Sequence, residues 1–225
     1  MIARLWWGLV RFGFRLLYNE LAFTYDLVSK VVSLGQWRCW QRAALKHFNI
    51  PQDAQVLELA HGTGDLQLDL HAAGYQSIGY DLSPYMGQIT WHKLARQGVV
   101  AQLVRGEAQH LPFADQSFAA IVCTFPTDFI FAETTLREAW RILPMNGRLV
   151  IVINGVLTGG GARVRLSEWL YSITGQRAEP QTNENQFARV LEVFARCGFE
   201  AQLLREACQR SYAQVIIATK HENLQ

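Results

Sequence analysis

Little in this chain speaks for a charged partner, a metal ion or a membrane span. The formal net charge is only +2, and no basic stripe interleaves with aromatics, so nucleic acid is not an expected partner. The four cysteines, Cys39, Cys123, Cys197 and Cys208, show no paired metal-ligand spacing, and the six histidines lack a ligand pattern. No metal is therefore expected. A reduced, cytoplasmic setting is the simplest reading of these cysteines, with Cys123 in a core strand. Neither an internal repeat nor a low-complexity tract is evident. What is present is a folding composition: half the residues are hydrophobic and 18% are charged. At 225 residues the chain suits one domain, large enough for a sheet covered on both faces by helices.

Residues 56–64, Val-Leu-Glu-Leu-Ala-His-Gly-Thr-Gly, read as a strand feeding a tight turn into a helix. Ala60, Gly62 and Gly64 bare the backbone so that a cofactor can lie against it. A dinucleotide fingerprint would need a third glycine where Gln67 stands, so the nicotinamide and flavin readings fail at their most demanding position. Glu58, inside the strand end, points to a ligand with an ammonium group, and S-adenosylmethionine has one. A second strand ends in Asp81, followed by Leu82, at about the distance past the turn where a doubly wound sheet sets an acid on a ribose diol. Residues 106–113 offer Glu107 and the backbone around Ala108 to an adenine amino group.

A fourth strand, 118–124, opens into a loop at Thr124, and a fifth, 148–153, follows the turn Pro144–Gly147. Helical stretches at 65–73, 84–97 and 133–143 alternate with these strands, the signature of parallel βαβ units. A last helix at 186–197 precedes two closing strands near 199–206 and 212–219, one of them antiparallel. The expected fold is α/β, a doubly wound, mostly parallel seven-stranded sheet with an N-terminal helical extension. Residues 18–50 read as a helical cap over the cofactor site, broken near Ser33–Gly35, and 51–225 as the main domain. Within it, 155–185 read as an insertion near the substrate mouth, where Trp169 and Tyr171 could line a cavity.

The first seventeen residues form their own unit. Ile2, Leu5, Trp6, Leu9, Phe12, Leu16 and Leu17 fall on one broad helical face, and Arg4, Arg11 and Arg15 on the other. Three arginines make a poor bilayer span, and the apolar core and cleavage site of a secretory signal are missing. A helix lying in a membrane interface fits this pattern. Packing on the domain or on a second subunit is the alternative, and the oligomeric state is left open.

On these residues the chain resembles the class I S-adenosylmethionine-dependent methyltransferases, and within them the ubiquinone/menaquinone biosynthesis C-methyltransferases. The resemblance runs through Tyr25-Asp-Leu27, Ser33, Gly35, Arg38, Trp40, Leu59-Ala60, Gly62-Thr-Gly-Asp-Leu66, Leu111-Pro-Phe113 and Gly147-Arg148. It implies a Rossmann-like methyltransferase fold and cofactor contacts at Thr63, Asp81, Glu107, Ala108 and Thr124. His61 stands where that family usually has a small residue or cysteine, and Ala119 replaces an acid. The family's segment after the fourth strand is absent, replaced by Phe125-Pro-Thr-Asp-Phe-Ile-Phe131.

Methyl transfer from a sulfonium asks the protein mainly to align the methyl with its acceptor and to exclude water. A base is needed only where the attacking atom must lose a proton. The cofactor residues are then Tyr25, Glu58, Ala60, Gly62, Thr63, Gly64, Asp81, Leu82, Glu107, Ala108 and Thr124. Tyr25 could close the site, with Tyr18 sharing that role. The catalytic candidates are Tyr25, His61 and Asp128, each weighed against a plain structural role: core aromatic, turn former and helix start. Trp37 and Trp40 read as packing, and Phe125, Phe129, Ile130 and Phe131 as an apolar wall.

The first functional expectation is a methyltransferase acting on a lipophilic acceptor at a membrane surface, in the form of a quinone-like ring, an isoprenoid or a phospholipid amine. A soluble small-molecule methyltransferase is the alternative, and a non-catalytic cofactor-binding module a third reading.

Overall fold

The computed structural model describes residues 21–159 and 184–221, together with Gly13. The amphipathic segment 1–17, Tyr18, and most of the 155–185 insertion with Trp169 and Tyr171 lie outside the described residues.

Seven strands form one sheet: β1 (Gln55–Leu59), β2 (Gln76–Asp81), β3 (Leu103–Arg105), β4 (Ala120–Thr124), β5 (Arg148–Leu157), β6 (Phe199–Cys208) and β7 (Ser211–Lys220). Their order is β3-β2-β1-β4-β5-β7-β6. The first five are parallel, with Leu59 level with Tyr80 on one side and Cys123 on the other. Only β7 runs antiparallel to its neighbours β5 and β6, the single reversed strand that the sequence implied. Parallel strands covered on both faces read as continuous apolar runs, and β4 is buried at all five positions.

Helices cover both faces: α1 (Tyr25–Val32), α2 (Trp37–Ala43), α3 (Asp65–Ala72), α4 (Pro84–Arg96), α5 (Glu133–Ile142) and α6 (Glu184–Arg196). Side chains alternating along the strands divide the core. Leu57, Leu59, Ile121 and Ile151 pack on one face with Leu136 of α5 and Phe194 of α6. Val56, Val122 and Val150 pack on the other with Trp40 of α2 and Leu66 of α3. Local chemistry sets the helix starts. Ser83 caps α4 by accepting the Met86 N–H at 3.3 Å, and Pro84 takes the first helical position.

Three expectations need correction. β4 begins at Ala120, where pairing with Val56 of β1 and Arg148 of β5 starts, while the Phe118 N–H goes to Ile142. β5 continues to Leu157, held by pairing down to Ser211 on β7, so residues 155–157 belong to the sheet and not to an insertion. The cysteines are not all free: Cys39 on α2 is disulfide-bonded to Cys208 at the end of β6, with Cα atoms 6.1 Å apart. These residues are 169 positions apart, and only the packing of α2 across β6 brings them together. Cys123 and Cys197 are free and buried.

Candidate active site

The strand order reverses between β1 and β4, and a doubly wound sheet opens a ligand crevice beyond the strand ends at that point. Past β1 the chain turns through left-handed residues, Ala60 (φ 55°), Gly62 (φ 54°) and Gly64 (φ 81°). The two glycines are there for different reasons. A Cβ added at Gly62 would meet nothing within 4 Å, so open space lies beside the turn. At Gly64 it would come 2.5 Å from the Thr90 methyl. Gly64 therefore also allows α3 to pack closely on α4.

Asp81, the last residue of β2, is fixed by two backbone donors. The Gly62 N–H reaches one carboxylate oxygen at 3.0 Å and the Ser83 N–H the other at 2.8 Å. A carboxylate oxygen can accept more than one hydrogen bond, so acceptor capacity remains for a diol. Leu82 beside it is 59% exposed, an apolar surface at the crevice edge. Beyond β3, Glu107 is exposed and Ala108 buried. That loop is pinned by the Tyr80 hydroxyl, 3.3 and 3.2 Å from the carbonyls of Glu107 and His110.

At the end of β4 the Thr124 side chain is buried, and the Gln41 side-chain amide donates to its hydroxyl at 3.4 Å. The Gln41 carbonyl oxygen is buried with no protein partner, which is costly unless something else supplies a donor. Phe125, in a left-handed conformation (φ 52°), stacks on Trp37 at 3.9 Å between ring centroids, and Tyr25 meets Trp37 edge-on at 6.1 Å. Trp37 thus joins the cap to the residue that follows β4, whereas Trp40 is fully buried and donates to Ser211 at 2.9 Å.

Glu58 is 1% exposed and accepts a 2.6 Å bond from Gln67, which in turn accepts from Ser77. Burial pushes its carboxyl up to about 8, Gln67 opposes the shift, and the charges of Asp81, Asp65 and Asp69 add to it. The acid expected to meet an ammonium directly is thus tied to Gln67, in a field that favours a positive ligand.

The structure also brings in residues that the sequence left unassigned. Asp26 on α1 accepts from the Thr63 hydroxyl and from Lys93 at 2.7 Å, and Lys93 also binds Asp65 at 2.7 Å. Arg38 and Arg42 on α2 reach Asp69 at 2.7 and 3.0 Å. These ties clamp the cap onto α3 and α4 beside the cofactor turn. Asp26 and Arg38 sit in segments that carried the family resemblance; Lys93 had no sequence signal.

Of the other two catalytic candidates, His61 is held within the turn and Asp128 lies exposed at a helix start. His61 is 4% exposed, with Nδ1 2.9 Å from the Gly62 carbonyl and 3.2 Å from the Thr90 hydroxyl. A carbonyl only accepts, so Nδ1 carries the proton, and burial lowers the imidazole's affinity for a second one. His61 holds the turn. It also walls a cavity of about 340 Å³ between α4 and β3, with Asp81, Trp91 and Arg105. Asp128 is exposed in the first turn of a short 3-10 helix, Asp128–Phe131. The neighbouring Ile130 is fully buried, and Phe129 and Phe131 pack against the same core cluster, so of the four expected wall residues Phe125 is the one stacked on Trp37. Among the described residues no group of three His, Cys, Asp or Glu side chains could hold a metal ion.

Strand order, reversed β7 and the turn beside Asp81 define a class: a Rossmann-like fold of the kind found in S-adenosylmethionine-dependent methyltransferases. The structure of one from Aquifex aeolicus matches with a TM-score of 0.58 at 16% identity, over 86% of this chain and 98% of that one. The YcgJ protein of Bacillus subtilis matches with 0.57 at 16% identity, over 82% and 99%.

The chain belongs to the ubiE/COQ5 methyltransferase family, whose model matches residues 14–184. It is 34% identical over 139 residues to the demethylmenaquinone methyltransferase of Deinococcus radiodurans, 60% of this chain and 58% of that protein. With the ubiquinone/menaquinone biosynthesis C-methyltransferase UbiE of Geotalea daltonii it shares 30% identity over 142 residues, 60% of each chain. The match thus spans about three fifths of these relatives' length. S-adenosylmethionine is the cofactor implied by family and fold. The residues present fit it: open space at Gly62, a diol acceptor at Asp81, an apolar edge at Leu82 and a negative field around the turn.

Proposed function

We propose that this protein transfers a methyl group from S-adenosylmethionine to a lipophilic, quinone-like acceptor at a membrane surface. The observation that carries this reading is the crevice at the end of β4. There an aromatic wall, Trp37 on Phe125 with Tyr25 at its edge, stands next to a buried amide oxygen on Gln41 that lacks a donor. A flat ring bearing a hydroxyl answers both features: its face meets the aromatics and its O–H supplies the missing bond. The relatives' names, demethylmenaquinone methyltransferase and ubiquinone/menaquinone biosynthesis C-methyltransferase, support a quinone-type ring.

When bound, S-adenosylmethionine supplies a methyl group already activated by its sulfonium charge. Ala60, Gly62, Thr63, Asp81, Leu82, Glu107, Ala108 and Thr124 form its bed in this reading, and Asp65, Asp69 and Asp81 supply the negative field around the turn while Glu58 stays protonated beneath it. Gln41 orients the acceptor by taking a hydrogen bond from a ring hydroxyl, which also raises electron density on the ring; as the methyl bonds to the ring carbon, that carbon's proton is released to solvent at the site's mouth. The α1–α2 cap shields the methyl from water. Residues 1–17, whose sequence combines a periodic apolar set (Ile2, Leu5, Trp6, Leu9, Phe12, Leu16, Leu17) with Arg4, Arg11 and Arg15, supply a peripheral membrane anchor in this reading.

The test is incubation of the full chain with methyl-labelled cofactor and two acceptors. One is a dithionite-reduced, short-prenyl 1,4-naphthoquinol in micelles, the other phosphatidylethanolamine vesicles, with products identified by mass spectrometry. Label on the quinol ring is expected. Label on the amine headgroup instead would overturn the quinone reading, and cofactor binding without label on either would favour a non-catalytic module.

A further inference from the structure

Helix α1 is amphipathic in the wrong direction for a helix packed on a domain. Asp26 and Ser29 face the domain, Asp26 binding Thr63 and Lys93 and Ser29 buried, as is Ser33 just beyond the helix, while Lys30 is exposed. Its apolar side chains turn out. Leu27 is 66% exposed and Val31 59%, with Val28 beside them, Phe23 (74%) one turn before and Leu34 one turn after. Most large apolar side chains exposed among the described residues fall in this one segment, 21–34. A surface helix normally buries that stripe, and a contiguous exposed patch marks an interaction site.

We infer that the outer face of residues 21–34 docks on the bilayer surface, placing the crevice mouth against the lipid. This rests on the reading of the acceptor as lipophilic, and it adds a second contact, within the folded domain, to the anchor assigned to residues 1–17. Three observations favour lipid as the occupant. The patch carries no free acid, because Asp26 is paired with Lys93, while Lys30 is exposed at its rim; that charge suits an anionic leaflet. The chain entering the patch is the segment with Arg4, Arg11 and Arg15, so both pieces present apolar and basic side chains within one stretch of sequence. The inner side of the same helix holds Tyr25 and Asp26 over the cofactor turn, so the outer face flanks the site's entrance. A second copy is the weaker fit. A few partly exposed aliphatic side chains amount to on the order of a few hundred Å², against roughly 800 Å² per partner in a standard protein interface.

Vesicle flotation of the full chain tests this without requiring turnover, so it fails or succeeds independently of the acceptor assay above. Parent and Phe23→Ser/Leu27→Ser/Val31→Ser are compared on phosphatidylcholine vesicles with and without a quarter phosphatidylglycerol, at low salt and at 0.5 M NaCl. All three side chains are exposed and none takes part in the hydrogen bonds or ion pairs of the cofactor turn or the clamp, so cofactor affinity by calorimetry should be unchanged in the variant. The parent should float with the anionic vesicles and keep part of that binding at high salt. The variant should bind at least about fivefold less and lose its binding at high salt. Equal flotation of both proteins overturns the proposal, as does a parent that stays in solution on every vesicle. A parent that is dimeric by light scattering and becomes monomeric in the variant also overturns it, assigning the face to a second copy.

Discussion

Glu58 holds its proton at neutral pH because burial removes the water that would solvate its charge, and three neighbouring acids disfavour a further negative one. Its carboxyl titrates near 8 in the folded chain against about 4.5 when exposed. Between those values the folded state binds more protons than the unfolded state. Stability from this group is therefore present below pH 4.5, falls as pH rises, and is gone above 8. Glu58→Gln keeps an acceptor for Gln67 and removes the titration. The variant's melting temperature relative to the parent should rise by several degrees, about 2–3 kcal/mol, between pH 6 and pH 9; parallel curves would show that the carboxyl does not titrate there. At the crevice, Gln41→Leu should raise KM for the naphthoquinol about tenfold, the worth of one hydrogen bond left unmade, with cofactor affinity intact. Asp81→Ala should do the reverse, abolishing adenosylmethionine binding by calorimetry while the circular dichroism spectrum is retained. Asp81 was legible in the sequence because an acid ending an apolar run has few structural explanations. Gln41 and Asp26 were not, since their meaning lies in partners 83 and 37 positions away.

At the level of elements, helix and strand starts followed from local chemistry and so could be read directly. Ser83-Pro84 opens α4 and the Gly62–Gly64 turn opens α3, each within a residue or two of expectation. Ends set by tertiary pairing could not be read this way: β5 runs on to Leu157 only because β7 is there to receive it. The cap belongs to the second kind. Its helices are short, seven and eight residues, too short to persist on propensity alone. They are held by the Asp26–Lys93–Asp65 and Arg38–Asp69 ties. Lys93→Met removes the cation shared by two acids and leaves both with one partner fewer. Part-exposed pairs of this kind are worth up to about 1 kcal/mol each. The melting temperature should therefore fall by only about 2–6 °C, while hydrogen exchange across residues 25–32 should speed up far more than in the sheet. Uniform acceleration across both regions would mean that the clamp serves global stability and not the cap.

For the molecule as a whole, alternating strand and helix patterns were enough to reach the doubly wound topology, because it depends on local periodicity, whereas the cofactor class came from the acid at Glu58 and the family resemblance. The Cys39–Cys208 bond was invisible for the opposite reason: it joins the cap to the far edge of the sheet, across β6. Its position has a consequence for the site. The helix it fastens also carries Trp37, which stacks on Phe125, and Gln41, which reaches Thr124. Closing a loop of 169 residues restricts the unfolded chain, an effect of about 2–5 kcal/mol in comparable cases. Dithiothreitol should then lower the parent's melting temperature by about 5–15 °C and raise KM for the naphthoquinol as α2 loosens. Cys39→Ser/Cys208→Ser should start at the lowered values and ignore the reductant. Buried Cys123 and Cys197 are poorly placed to imitate the effect, since burial keeps both thiols protonated. A parent whose melting and KM are indifferent to reductant, although its bond is shown by mass spectrometry to be cleaved, would mean that packing of Trp40 and its neighbours holds the cap unaided.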